Sequence, residues 1–163
     1  MSGKCYSQDY SDSLTWTPNS IFIASGYGSP QGLRTELGYN FATLLSIGLT
    51  YNIHDNWSRD PVESKYGVFL KLTFPIPSLR FSPYVFYNYG TNFEIFGGPD
   101  SYNLIYLGAM IPIITKIYLR PELGFCFTSK HVSGGSSPLG GDTKEIKDKN
   151  KTFGINLSLE LDF

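Results

Sequence analysis

The sequence predicts an all-β chain folded as an eight-stranded antiparallel up-and-down β-barrel of the transmembrane kind. Three observations lead there. Residues Phe153 to Phe163 alternate without a break, with a large apolar residue at every odd position and a small or polar one at every even position, which is the period-two signature of a strand with one greasy face. Seven earlier stretches repeat the pattern. From the second connection onward, short turns and long polar loops take turns, so the long loops gather at one end and the chain termini at the other.

Composition fits a strand-built membrane protein. The 163 residues suffice for one domain. Charged residues make up 17% of them, below the roughly 25% of soluble domains, and aromatics reach 16%, with Tyr 12 and Phe 12. No run approaches the roughly 18 apolar residues of a membrane helix, so any crossing is expected by strands. The net charge of −1 and the lack of a basic patch interleaved with stacking aromatics speak against nucleic acid as a partner. Cys5 and Cys126 make neither a disulfide framework nor a metal site, and neither metal nor cofactor is expected.

Residues 1–18 stand apart from the barrel domain at 19–163. Cys5-Tyr6-Ser7 before Gln8-Asp9 looks like the small-x-small end of a secretory signal whose charged and apolar regions are missing upstream. The segment reads as a signal-peptide remnant or a polar leader. Lys4, directly before Cys5, speaks against a lipoprotein.

After the Pro18-Asn19 breaker, Ser20 to Gly28 forms the first strand, with Ile21, Ile23 and Tyr27 on one face. Ser29-Pro30-Gln31 leads to a second, Gly32 to Asn40, and a turn at Phe41-Ala42-Thr43 to a third, Leu44 to Ile53. Beyond the loop at 54–64, Lys65 to Phe74 is the fourth. Pro75-Ile76-Pro77-Ser78 makes a compact turn into Arg80 to Gly90, where Pro83 removes one ladder donor. The loop at 91–101 precedes Tyr102 to Ile111, Pro112 to Thr115 turns the chain into Lys116 to Thr128, and the loop at 129–151 precedes the closing strand.

The polar face carries roughly one glycine per strand, among them Gly26, Gly38, Gly48, Gly67, Gly108, Gly124 and Gly154. Exposed strands gain nothing from so much glycine, whereas a narrow eight-stranded lumen requires small residues. The polar face is therefore predicted to point inward. By that register the lumen holds Arg34, Lys71, Arg80 and Arg120 against Glu36, Glu122, Glu160 and Asp162. Opposite charges confined together should pair, since unpaired burial is costly, and a filled, salt-bridged interior follows. Tyr27, Tyr39, Phe41, Tyr51, Tyr66, Phe74, Tyr89 and Phe163 fall near strand ends on the outer face, where interfacial girdles sit.

The closing strand, with Ile155, Leu157, Leu159 and Leu161 in register with a terminal Phe163, resembles that of bacterial outer-membrane barrels. Over residues 20 to 163 the chain resembles the small barrels of the OmpA and OmpX kind. The resemblance implies an outer-membrane location, a surround of lipid and lipopolysaccharide, and Phe163 with its apolar companions as the signal read by the barrel-assembly machinery. It implies a surface scaffold without enzymatic activity whose loops at 54–64, 91–101 and 129–151 bind lipopolysaccharide or an extracellular partner.

Other functions leave fewer marks in the sequence. No P-loop, nucleophile elbow, zinc-ligand spacing or dinucleotide fingerprint is present. His131, Ser133 and Glu145 resemble in spacing the site of lipid A 3-O-deacylases, which would make Ser133 the nucleophile, His131 the base and Glu145 its orienter. Where that family has an asparagine after its serine, this chain has Gly134. A small pore, or a soluble lipocalin-like carrier of apolar ligands with the two faces reversed, are the remaining alternatives.

Overall fold

The computed structural model describes residues 19–29, 31–41, 44–54, 63–76, 78–91, 101–132 and 146–163. They form eight strands: β1 Ser20–Ser29, β2 Gly32–Asn40, β3 Leu45–His54, β4 Glu63–Thr73, β5 Ser82–Thr91, β6 Ser101–Ile114, β7 Ile117–Val132 and β8 Ile146–Asp162. Each is antiparallel to the next, and β8 returns to pair with β1 from Phe22↔Asp162 to Ser29↔Ile155, closing a barrel in simple meander order. The leader at 1–18 and the segments 55–62, 92–100 and 133–145 lie outside the described residues.

The apolar alternation faces outward. Ile21, Leu37, Leu49, Val68, Leu107, Leu123 and Leu157 are exposed on the barrel wall, while the even-numbered residues of β8 from Gly154 to Asp162 are buried. This is the reverse of an apolar-ligand carrier, whose greasy face would line the lumen. The outer band on β8 from Phe153 to Phe163 runs about 34 Å along the strand, and about 26 Å in height at a tilt of about 40°.

Several boundaries differ from expectation. The segment 129–151 is not all loop: β7 and β8 stay paired through Ser129↔Lys149, Lys130↔Asp148, His131↔Lys147 and Val132↔Ile146. Backbone hydrogen bonds carry a ladder onward after the outer face has ceased to be apolar, so the alternation ends before the strands do. The expected turn at 112–115 tightens to Thr115-Lys116, with Lys116 at φ 66°, and β6 runs on to Ile114. A register shift between Pro112 and Ile114 accompanies that extension, at a residue with no donor to give the ladder. Pro83 sits inside β5 opposite Ala109. Its carbonyl accepts from Phe74 N at 2.8 Å, so its missing donor faces the end of β4, where the ladder is finishing. Arg80 was expected in the lumen. It is exposed in the bend before Ser82, where strand parity does not apply.

The core is the lumen, and it is built by complementation across strands. Phe22 stands opposite Gly38, Phe69 opposite Gly48, Tyr84 opposite Gly108, Tyr102 opposite Gly90, and Tyr106 opposite Gly124. A Cβ on any of these glycines would run into the facing ring. Each large ring thus occupies the volume that its cross-strand partner lacks, which brings a narrow barrel to interior packing density.

Gly38→Ala drives a methyl group into the Phe22 and Phe69 rings. It is expected to cost about 1–3 kcal/mol, read as a lower urea midpoint of the barrel refolded in detergent. Adding Phe22→Leu should return part of that loss, and an unchanged midpoint in Gly38→Ala would refute the packing argument.

Candidate functional site

Charged side chains enter the lumen at two-residue spacing, which keeps neighbours in a strand on one face. β2 supplies Arg34 and Glu36, β4 Lys71, β7 Arg120 and Glu122, and β8 Glu160 and Asp162. All seven are buried. The Arg120 guanidinium is the hub: Nη1 lies 2.8 Å from Glu36 Oε2 and 2.7 Å from Glu160 Oε2, and Nη2 lies 2.8 Å from Glu122 Oε1. Arg34 pairs through Nη2 with Glu122 and places Nε 2.8 Å from Glu36 Oε1, near enough for an ion pair but out of line for a hydrogen bond. Lys71 Nζ donates to both Glu160 oxygens at 2.9 and 2.8 Å.

Neutral groups complete the cluster. Tyr84 OH donates to Glu122 Oε1 at 2.6 Å and accepts from Arg120 Nε at 3.1 Å, while Asn156 Nδ2 donates to Glu122 Oε2 at 2.9 Å. Aromatic faces shield the cations: Lys71 Nζ is 4.1 Å from the centre of the Phe22 ring, and the Arg34 guanidinium 4.5 Å from that of Phe86. Arg34, Lys71 and Arg120 balance Glu36, Glu122 and Glu160, so this cluster is neutral.

Polar layers continue to both ends of the lumen. Toward the loop end, Asn52 Nδ2 donates to Tyr102 OH and Asn88 Nδ2 to Thr50 Oγ1, each at 2.6 Å, and Gln31 bonds the Tyr106 hydroxyl. Toward the turn end, Asn40 links Ser20 and Ser46 at 2.9 and 2.6 Å. Asp162 also lies at that end, its carboxylate outside the ion-pair cluster and without a hydrogen bond from the described residues. Chemically the interior is a brace: its three central carboxylates are saturated by cations and hydrogen-bond donors. Among the described residues no group of His, Cys, Asp and Glu is placed to hold a metal ion.

Of the residues considered for ester hydrolysis, His131 alone is among the described ones. His131 belongs to β7, opposite Lys147, while Ser133 and Glu145 lie outside the described residues. Cys126 is buried, between Leu104 of β6 and Thr152 of β8 in the ladder. Ile155, Leu157, Leu159, Leu161 and Phe163 all lie exposed on the outer wall, and Phe163 N donates to Ile21 O at 2.9 Å, pinning the last residue to β1.

Sequence reasoning passed over the lumenal aromatics Phe22, Tyr102 and Tyr106, and the role of Gln31. The rings carry a readable signal, because each shares the parity of the polar face and pairs with a glycine on the next strand. Gln31 carries none: it lies in a turn, where parity stops.

No family model matches the chain, and no curated protein matches it. Among solved structures, the crystal structure of the N-terminal β-barrel domain of Pseudomonas aeruginosa OprF is similar, with a TM-score of 0.58 at 14% identity, over 90% of this chain and 98% of that one. The likeness is one of fold: the chain has the eight-stranded barrel architecture of the OmpA kind.

Arg120→Met leaves Glu36, Glu122 and Glu160 each short of a partner and is expected to cost about 3–5 kcal/mol. Lys71→Met should cost less, because Glu160 keeps Arg120. Urea unfolding of the two variants in the same detergent checks the order, and equal losses would contradict a hub at Arg120.

Proposed function

We propose that the chain is a bacterial outer-membrane β-barrel that acts as a non-enzymatic surface scaffold, its filled lumen serving as a rigid brace and its loop end as the contact surface. The membrane reading is supported by the outward apolar band, about 26 Å tall, with Tyr27, Tyr51, Tyr66, Tyr89, Phe74 and Phe163 toward its margins. The barrel shares its fold with the small outer-membrane proteins it resembles, and the Phe163 strand suits recognition by a barrel-assembly machinery.

The observation that carries the scaffold reading is the uneven rim. β1 ends at Ser29, opposite Ile155, while β8 continues upward to Ile146, paired only with β7 among the described strands. On its β1 side the β7–β8 wall therefore stands roughly 30 Å along β8 above the end of β1, while on the other side β6 follows it up to Ser101↔Ser129. Beneath it the lumen is occupied by Arg34, Arg120, Tyr84, Tyr106, Phe22 and Phe86, all fully buried, which favours a scaffold over a conduit. Extracellular partners or lipopolysaccharide are the ligands that such a raised wall suits.

Protein refolded in detergent is expected to give a compact gel band that boiling abolishes, and none in plain buffer. Planar bilayers should show no steady conductance. On cells, replacing residues 133–145 with a Gly-Ser linker should abolish surface binding of partner or lipopolysaccharide, whereas Gly38→Ala should leave it. Ser133→Ala should leave the lipid A acyl pattern of the host unchanged. Steady channels, or acyl loss that depends on Ser133, would overturn the scaffold reading.

A further inference from the structure

Among the described outward-facing residues, Ser25 and Thr35 put short hydroxyl side chains into the middle of the apolar band. On β1 that face runs Ile21, Ile23, Ser25, Tyr27, and on β2 Leu33, Thr35, Leu37, Tyr39. Ser25 and Thr35 are direct cross-strand partners, and their hydroxyl oxygens lie 3.5 Å apart on the outer face. Ser25 also stands opposite Leu159 of β8, between Phe153 and Phe163 at the two ends of the band. The pair is thus far from either margin. Its ladder neighbours, Leu159 on one side and Tyr51 on the other, are both described. The other outward side-chain hydrogen bond, from Tyr87 OH to Asn103 Oδ1 at 2.8 Å, reaches a residue close to the start of β6 and belongs to the loop-end margin.

A hydroxyl has one hydrogen to give and two lone pairs to offer. Ser25 and Thr35 can share one hydrogen between them, over a long 3.5 Å contact, which leaves a second hydrogen and further lone pairs facing hydrocarbon. Phe163 N donates to Ile21 O, so odd residues of β1 spend their backbone groups on β8. The Ser25–Thr35 pair is therefore of the non-hydrogen-bonded kind, whose side chains stand close together. Lipid tails offer such a pair nothing, whereas a hydroxyl at the same depth on another wall offers both a donor and an acceptor. A second copy of the chain supplies it. Two copies that cross in the same direction are related by a two-fold axis along the membrane normal, and that axis keeps every residue at its own depth. A charge facing its own copy would repel it; a hydroxyl pair complements itself.

We propose that the β1–β2 wall is the contact face of a two-fold dimer of this chain within the membrane, with the Ser25 and Thr35 hydroxyls of the two copies hydrogen-bonded to one another. The rows Ile23↔Leu37 and Tyr27↔Leu33, all exposed, frame the pair below and above and supply the packing around it. The proposal rests on the membrane reading above and gives that wall its partner. Aliphatic contact between two walls gains little over contact with lipid tails, so association in a bilayer is decided by the polar pairs that tails cannot satisfy, as between membrane helices joined through Ser and Thr. The hydroxyl pair, and not the far larger apolar band, therefore selects the face.

The test is sedimentation equilibrium of the full chain refolded in density-matched detergent micelles, over a range of protein-to-detergent ratios and with a reductant present so that Cys5 and Cys126 cannot link chains. The wild type is expected to show a monomer–dimer equilibrium. S25A/T35V keeps the relief of the wall and removes both hydroxyls, and should weaken the dimer roughly tenfold, the worth of about two hydrogen bonds between membrane segments. S25T/T35S keeps two hydroxyls and should dimerise like the wild type, as should L107A, on β6 at the far side of the barrel. A wild type that stays monomeric at every ratio, as it would if lipid or a different protein covers the patch, would overturn the proposal. So would a dimer that S25A/T35V leaves unchanged, or one that L107A weakens as much. The boiling-sensitive gel band, recorded on the same samples, separates the two readings. A band from a strictly monomeric wild type sinks the dimer and leaves the barrel, whereas loss of the band sinks both.

Discussion

One guanidinium, that of Arg120, touches Glu36, Glu122 and Glu160 together, and the interior is arranged so that it can. A buried cation of this kind is tolerable only when its partners are fixed and their remaining lone pairs are occupied. Arg34, Lys71, Tyr84 and Asn156 meet that condition for the three carboxylates, and the rings of Phe22 and Phe86 cover the flanking cations. Removing water from the lumen strengthens each of these contacts and penalises each vacancy. At its centre the polar face could therefore not be merely polar; its three cations and three carboxylates had to match.

The same confinement explains the glycines. A small barrel has little radius to offer, so an inward ring such as Tyr84 or Tyr106 needs an absent side chain opposite it. Glycine in a strand otherwise weakens it; here the facing ring restores the contacts that the missing Cβ would have made. Outside, the constraint is reversed: the wall presents aliphatic and aromatic residues along the whole band, and on β8 charge reappears above it at Lys151 and Lys149.

Much of this could be read from the chain, because period two survives wherever one face must be apolar. The closing strand from Phe153 to Phe163 was legible for that reason, as were the strand number, the meander order and the inward parity of Arg34, Glu36, Lys71, Arg120, Glu122, Glu160 and Asp162. Legibility ended where the constraint ended. Arg80 sits in a bend, Gln31 in a turn, and Ser129 to Val132 in a ladder whose outer face no longer has to be greasy. Pairing across the lumen was equally hidden: parity says that Arg34 points inward, not that Glu122 will meet it. That contact depends on strand stagger, which no single strand encodes.

The ion pairs also have an arithmetic along the chain. Arg34 and Glu122 are 88 residues apart, Arg120 and Glu36 are 84, and Lys71 and Glu160 are 89, whereas neighbouring strands other than the β1–β8 pair are joined hairpin by hairpin. Contacts so distant in sequence reward the chain only after the sheet has curled and its loop entropy has been spent. The meander can zip up strand by strand without them, but until the sheet closes Lys71 stands without Glu160 and Arg34 without Glu122. The charges that brace the finished barrel thus go unanswered in the open sheet, and they couple pairing in the lumen to closure of the ring.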